Sequence, residues 1–259
     1  MNIHQDLNQF RKDILVAATK AGEGHIASAL SILDTLWVLY NRVLRFDPRQ
    51  PESEDRDRFV LSKGHASLGL YAVLAGKGFF PAEELKTFAS YQSIFGGHPD
   101  RNKVPGVEAS TGSLGHGMPM AAGMAYALKV KKSNRKVFCL IGDGEANEGS
   151  VWETASLAAH HKLDNLCCVL DYNHSTDRAL QMGDLAAKFA SFGWAAEEVG
   201  GHDHDALYAA LSKATVGQPH MVIANTVKGR GCAPMENNQA WHHKAPTAEE
   251  LDALLAQLA

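Results

Sequence analysis

Hydrophobic spacing divides the chain into a helical first part and a regular second part. The first forty-odd residues read as two helices separated by Ala21-Gly22-Glu23-Gly24. In the second helix Leu30, Leu33, Leu36, Trp37, Tyr40, Val43 and Leu44 recur at the spacing of one helix face. A short strand is predicted at Arg58–Leu61 and a helix at Ala66–Lys77. Another helix is predicted after Pro81, since proline suits a helix's first turn. Ser90–Leu114 reads as a loop with four glycines and two prolines. Loops this long inside compact domains are uncommon and usually functional.

Beyond the loop the pattern alternates. Helix Gly117–Lys131 leads to strand Val137–Ile141, helix Val151–His161, strand Leu166–Leu170 and helix Asp184–Phe192. Strand Ala195–Val199, helix Asp205–Ala214 and strand Met221–Thr226 follow, and the tail after Thr226 reads as one loop and one helix. Apolar strands alternating with helices predict an α/β fold, a parallel sheet flanked by helices on both faces. Ligands of such folds bind at the carboxyl ends of the strands. That rule singles out Gly142, Asp171 and Val227 onward. No repeat, low-complexity segment or Ser/Gly-rich linker interrupts the chain, so residues 1–259 are expected to form a single domain.

Composition narrows the class without naming it. The 259 residues are 45% hydrophobic and 21% charged, with a net charge of −4, as in ordinary globular proteins. That charge gives no footprint for nucleic acid or an anionic membrane. The four cysteines lack a Cys-x-x-Cys spacing, and Cys139, Cys167 and Cys168 sit in apolar strands, so core thiols in a reducing compartment are expected. The first residues lack the apolar core of a signal peptide, and no apolar stretch is long enough to span a membrane. A cytoplasmic location is the expectation.

The chemistry concentrates where the first regular strand ends, at Gly142-Asp143-Gly144-Glu145-Ala146-Asn147-Glu148-Gly149. A dinucleotide turn would want a third glycine where Asn147 stands, and Asp143 would set a carboxylate beside a pyrophosphate. Two anions tolerate each other there only with a cation between them. Mg²⁺ meets that need, because it is commonly shared between one or two protein oxygens and phosphate oxygens. A second ligand should come from the neighbouring strand tip, Asp171-Tyr172-Asn173-His174-Ser175. There the amide oxygen of Asn173 and a backbone carbonyl near Ser175 are the candidates.

This pairing of GDG with a later asparagine resembles the thiamine-diphosphate signature. Further segments make the resemblance specific: GEGHIASALS (Gly22–Ser31), LSKGHASLGLY (Leu61–Tyr71), GGHPD (Gly96–Asp100), PGVEASTGSLGHG (Pro105–Gly117) and TVKGRGCAPMENNQAWHHKAP (Thr226–Pro246). In this order they are similar to the N-terminal, diphosphate-binding part of transketolases over nearly the whole chain. The resemblance implies a thiamine-diphosphate-binding fold. It implies thiamine diphosphate and Mg²⁺ as cofactors, with Asp143, Asn173 and the Ser175 carbonyl as metal ligands. It places Gly144 against the diphosphate and Gly112 and Leu114 against the cofactor rings. His25, His65 and His98 match histidines around the diphosphate and the ketose donor, and His242 rather than His243 matches a further one. Glu148 matches the acid that communicates across the dimer. His116 stands where full-length transketolases commonly carry glutamine.

The implied activity is transfer of a two-carbon ketol unit from a ketose to an aldose. The expected partner is a C-terminal transketolase subunit carrying the pyrimidine-binding domain, in an α₂β₂ assembly. Histidines such as His25, His98 and His242 suit proton transfer because imidazole titrates near neutral pH. The alternatives are another thiamine-diphosphate enzyme, such as deoxyxylulose-phosphate synthase or a 2-oxoacid dehydrogenase α-subunit, and a non-catalytic subunit retaining the fold. A nicotinamide dehydrogenase is more distant. Lys228 and Arg230 either neutralise diphosphate or are solvated loop cations. His160-His161 and His202-x-His204 suggest zinc only weakly, since no cysteine accompanies them.

Overall fold

The computed structural model describes residues 3–177 and 179–258, which leaves Met1, Asn2, Arg178 and Ala259 of the expected 1–259 domain outside the described residues. Five strands form one sheet: β1 (Arg58–Leu61), β2 (Val137–Gly142), β3 (Leu166–Tyr172), β4 (Ala195–Gly200) and β5 (His220–Asn225). All neighbouring pairs are parallel, in the order β1-β2-β3-β5-β4. The register sets Gly142 beside Asp171 and Tyr172 beside Asn225, so the tips of β2, β3 and β5 share one edge of the sheet.

Alternation along the strands supplies two cores, as a sheet covered on both faces requires. Phe138, Leu140, Val169 and Val222 face one core, together with α1 (Ile3–Ala21), α2 (Ile26–Ser31), α3 (Leu33–Val38) and α4 (Ser67–Gly76). Val137, Cys139, Ile141, Cys168, Leu170 and Ile223 face the other, against α5 (Gly117–Val130), α6 (Gly149–His160) and α7 (Leu185–Ser191). Two further helices, α8 (His204–Ser212) and α9 (Ala248–Gln257), complete the first layer, and α9 opens with a Thr247/Glu250 capping box. The four cysteines are buried and unpaired. No described helix is long and apolar enough to cross a membrane.

Three elements depart from the sequence pattern. The second helix breaks at Ile32, with φ −98° and ψ −4°, and ends in a wider turn at Leu39–Val43. At the break the Ser31 hydroxyl lies 3.0 Å from the Ser28 carbonyl and 2.9 Å from Asp171 Oδ2, so a polar contact interrupts an otherwise apolar run. The segment after Pro81 is a 3₁₀ stretch, Ala82–Thr87, in which the Thr87 hydroxyl bonds the Glu84 carbonyl. Strand β4 is an edge strand, and its Glu197 and Glu198 reach out to Lys213, His220 and Asn225 instead of packing.

Candidate functional site

Four chain segments deliver side chains to one edge of the sheet, each leaving a strand at its carboxyl end. After β1 comes Lys63, after β2 Asp143, after β3 Asn173 and after β5 Lys228. With the turn before α2 and the long loop before α5 they enclose a cavity of about 340 Å³. Its walls include His25, His65, His98, Gly112, Leu114, Asp143, Gly144, Asn173, Ser175 and His242. Every site residue expected from the sequence is thus brought together except Glu148, which is exposed at the start of α6 and packs beside Gly115.

Asp171 organises the floor. Its buried carboxylate accepts from Lys63 Nζ at 2.5 Å, Ser31 Oγ at 2.9 Å, Thr226 Oγ1 at 2.5 Å and Asn173 Nδ2 at 2.7 Å. Burial alone would raise its pKa, but the Lys63 ammonium and these hydrogen bonds hold it below the usual carboxylate range. Because Asp171 engages the amide nitrogen of Asn173, the amide oxygen must face the other way. That oxygen receives the Ser175 N–H at 3.1 Å and the Ser175 hydroxyl, and Lys228 Nζ in turn donates to Ser175 Oγ at 3.1 Å.

Asp143 tests the fit of a cation directly. Its oxygens accept from the N–H groups of Gly144 at 2.7 Å and Thr176 at 3.3 Å. Burial raises its pKa and the nearby Asp171 adds to the rise, which marks a carboxylate short of positive charge. An oriented amide oxygen stands on the next strand tip. Carboxylate, amide and carbonyl oxygens form a hard donor set of the kind Mg²⁺ takes. Among the described residues no three His, Cys, Asp or Glu side chains cluster for a metal. The His202 and His204 side chains both turn to Asp34 instead.

The histidines differ from their sequence expectation in charge. His25, at the start of α2, has ring centroids of His65, His242 and His243 at 5.1, 5.7 and 4.5 Å. Burial and then the neighbouring histidines and Lys228 push the His25 pKa down to about 4. Burial and Lys63 push His65 down to about 2, and burial and Lys228 lower His242. These shifts favour the neutral imidazole, which donates at one ring nitrogen and accepts at the other. Gly112 is required where it stands: it has φ +153°, and a Cβ there would meet the His98 ring at 2.9 Å.

The sequence assigned no individual role to Lys63, Asp171 and Glu145. Each is a charged residue at or just beyond the end of an apolar strand, and that was the available signal. Glu145 ties the wall together by accepting from Gly115 N at 2.9 Å, Gly142 N at 3.1 Å and the Ser62 hydroxyl. A second cavity of about 220 Å³ shares His25, His65 and His98 and adds Glu23, Ser67 and His243.

A cavity at the strand tips of an α/β fold, with two buried lysines, oriented oxygen donors and a ring of histidines, suits an anionic ligand of the phosphate-ester class. The chain belongs to the transketolase family: the family "Transketolase, thiamine diphosphate binding domain" matches residues 4–258. Thiamine diphosphate is therefore the cofactor of this domain, and ketol transfer is the reaction of the family. One relative is an apulose-4-phosphate transketolase subunit from Actinobacillus succinogenes, 41% identical over 96% of this chain and 92% of that protein. Another is a 6-deoxy-6-sulfo-D-fructose transketolase subunit from Clostridium sp., 37% identical over 100% of this chain and 96% of that protein. A solved transketolase variant from Pichia stipitis superposes with a TM-score of 0.92 at 30% identity, covering 100% of this chain but 41% of that one.

Proposed function

We propose that this chain is the diphosphate-binding subunit of a two-chain, cytoplasmic transketolase that uses thiamine diphosphate and Mg²⁺. The observation that carries the reading is the pairing of Asp143 with the oriented Asn173 amide oxygen in the cavity that also holds Lys63 and Lys228. Kinship with proteins named as transketolase subunits, over nine-tenths of their length, supports the two-chain form. The companion would carry the pyrimidine-binding domain and cover the side where Leu114, His98 and His242 are exposed, in an α₂β₂ assembly with Glu148 near the subunit contact. On this reading residues 1–259 act as a single diphosphate-binding domain.

Asp143, Asn173 and the Ser175 carbonyl would hold Mg²⁺, while Lys63 and Lys228 offset diphosphate charge. Gly144, without a side chain, lets its backbone approach the diphosphate, and Gly112 and Leu114 border the rings. Thiamine diphosphate, when bound, supplies the carbon nucleophile for ketol transfer. His25, His98 and His242 would donate N–H to sugar oxygens as negative charge develops on them, and His65, in the same cavity wall, would hold the cofactor. Substrates are a ketose donor and an aldose acceptor, phosphorylated or sulfonated.

Calorimetry tests the metal assignment. Asp143→Ala should abolish Mg²⁺-dependent binding of thiamine diphosphate, and Asn173→Ala should weaken it less because the carboxylate remains. Wild-type affinity in Asp143→Ala would remove Asp143 from the metal site.

A further inference from the structure

A buried carboxylate and a histidine lie outside the cavity, against the turn that carries Lys228. Asp34 on α3 is 4% exposed and lines neither cavity. Its Oδ2 lies 2.8 Å from His202 Nδ1 and its Oδ1 lies 2.6 Å from His204 Nε2. On its other side His202 Nε2 lies 2.8 Å from the backbone nitrogen of Val227. A backbone N–H can only donate, so Nε2 is the acceptor and the His202 proton sits on Nδ1, donating to Asp34. The tautomer is fixed by its two partners. Val227 is the residue before Lys228, whose ammonium lies 3.1 Å from Ser175 Oγ and donates to His242 Nδ1 at 2.8 Å.

The turn that carries Lys228 is pinned on three sides. Thr226 N donates to the Tyr172 carbonyl at 3.0 Å, and Gly229 N donates to the Ala27 carbonyl at 2.9 Å. Those bonds tie the turn's ends to β3 and α2; within the turn Arg230 N donates to the Val227 carbonyl at 3.2 Å and Asn237 N to the Lys228 carbonyl at 2.9 Å, and the His202 bond takes up the Val227 N–H. Aiming a lysine at a charged ligand needs this kind of support, because its stem has four rotatable bonds and its ammonium is a point charge.

We infer that His202, clamped by Asp34, is a positioning residue for the diphosphate. It fixes the Val227 N–H and through it the line along which Lys228 reaches the cofactor. The inference rests on the reading of the cavity as a diphosphate site. It assigns a role to a pair of residues on α3 and the β4–α8 turn that touch neither cofactor nor substrate.

Two isosteric substitutions separate positioning from simple support. His202→Asn keeps a donor where Nδ1 was and loses the acceptor for Val227. His202→Gln keeps an acceptor where Nε2 was and loses the bond to Asp34. Titration of thiamine diphosphate with Mg²⁺ into the purified chain should give His202→Gln within about threefold of wild type and His202→Asn weaker by about tenfold. In a Lys228→Ala background the His202→Asn effect should vanish, because coupled residues are not additive. In the wild type, hydrogen exchange at the Val227 amide should slow when the cofactor binds, a readout that needs no variant to fold. Equal affinities for the two His202 variants, additive effects with Lys228→Ala, or unchanged Val227 exchange would overturn the positioning role while leaving the cofactor reading standing. Failure of the wild type to bind thiamine diphosphate would overturn both.

Discussion

Gly144→Ala separates what the fold needs from what the ligand needs. Gly144 sits at φ −62° and ψ −35°, a conformation any L-residue adopts, and a Cβ built there meets nothing within 4 Å. The protein therefore has no objection to alanine. Removing glycine's unfolded-state freedom should stabilise the chain by about 0.4–1 kcal/mol, which raises Tm by about 1–4 °C in a domain of this size. The added methyl sits on a residue of the cavity wall, where the diphosphate is proposed to meet the backbone. Inserting a methyl into a filled site costs about 1–3 kcal/mol, or a factor of about 5 to 150 in Kd. Calorimetric titration of thiamine diphosphate with Mg²⁺, paired with scanning calorimetry, measures both quantities. Gly123→Ala on the exposed side of α5 is the control, because its Cβ also meets nothing and it lies away from the cavity. That control should raise stability and leave Kd unchanged. A Gly144→Ala chain that binds as tightly as wild type would refute the placement of the diphosphate against this turn.

Other expectations follow from the buried charges. Lys63→Met leaves Asp171 with three neutral donors, Ser31, Asn173 and Thr226. The cost should fall near the low end of the about 3–5 kcal/mol for breaking a buried pair, lowering Tm by about 6–12 °C in thermal melts; an unchanged Tm would contradict the buried ion pair. Burial would raise the pKa of Asp34, but hydrogen bonds from His202 and His204, and the charge of Arg11 on α1, depress it below its unfolded value. A depressed acid contributes stability above the unfolded carboxylate pKa of about 3.9 and loses it as pH falls through the folded value. The stability gap between wild type and Asp34→Asn, measured by urea titration, should therefore be present at neutral pH and shrink below about pH 4. Replacing His98 or His25 by Ala should lower kcat or raise the donor KM, by about 10²–10³ in rate, with little change in cofactor Kd. Full rates with several ketose donors would make these histidines structural.

The sheet and the turn that carries Asp143 were legible because their signals are local. Apolar runs alternating with helical spacing predicted all five strands to within a residue or two. The carboxylate of Asp143 beside a glycine turn carried its own demand for a cation. What escaped depends on partners distant in sequence. Nothing local says that Lys63 would meet Asp171, although both end apolar strands. Burial of His25 and its crowding by His242, His243 and Lys228 are likewise products of the fold, and they lower its pKa from the near-neutral range ordinary for imidazole. The break at Ile32 follows the same logic, since the Ser31 hydroxyl finds Asp171 only once β3 is in place. Strand β4 lies where its sequence predicts, and its edge position shows in Glu197 and Glu198.

The central claim is that this chain holds the cofactor and turns over only with a companion subunit. The most direct measurement is ketol transfer with thiamine diphosphate, Mg²⁺, a ketose donor and an aldose acceptor. It compares the purified chain alone with the chain mixed with a companion subunit that carries the pyrimidine-binding domain. Turnover only in the mixture, lost again with Asp143→Ala, is the result the account predicts. Turnover by the chain alone, or a silent mixture whose two subunits bind each other and the cofactor, would contradict it.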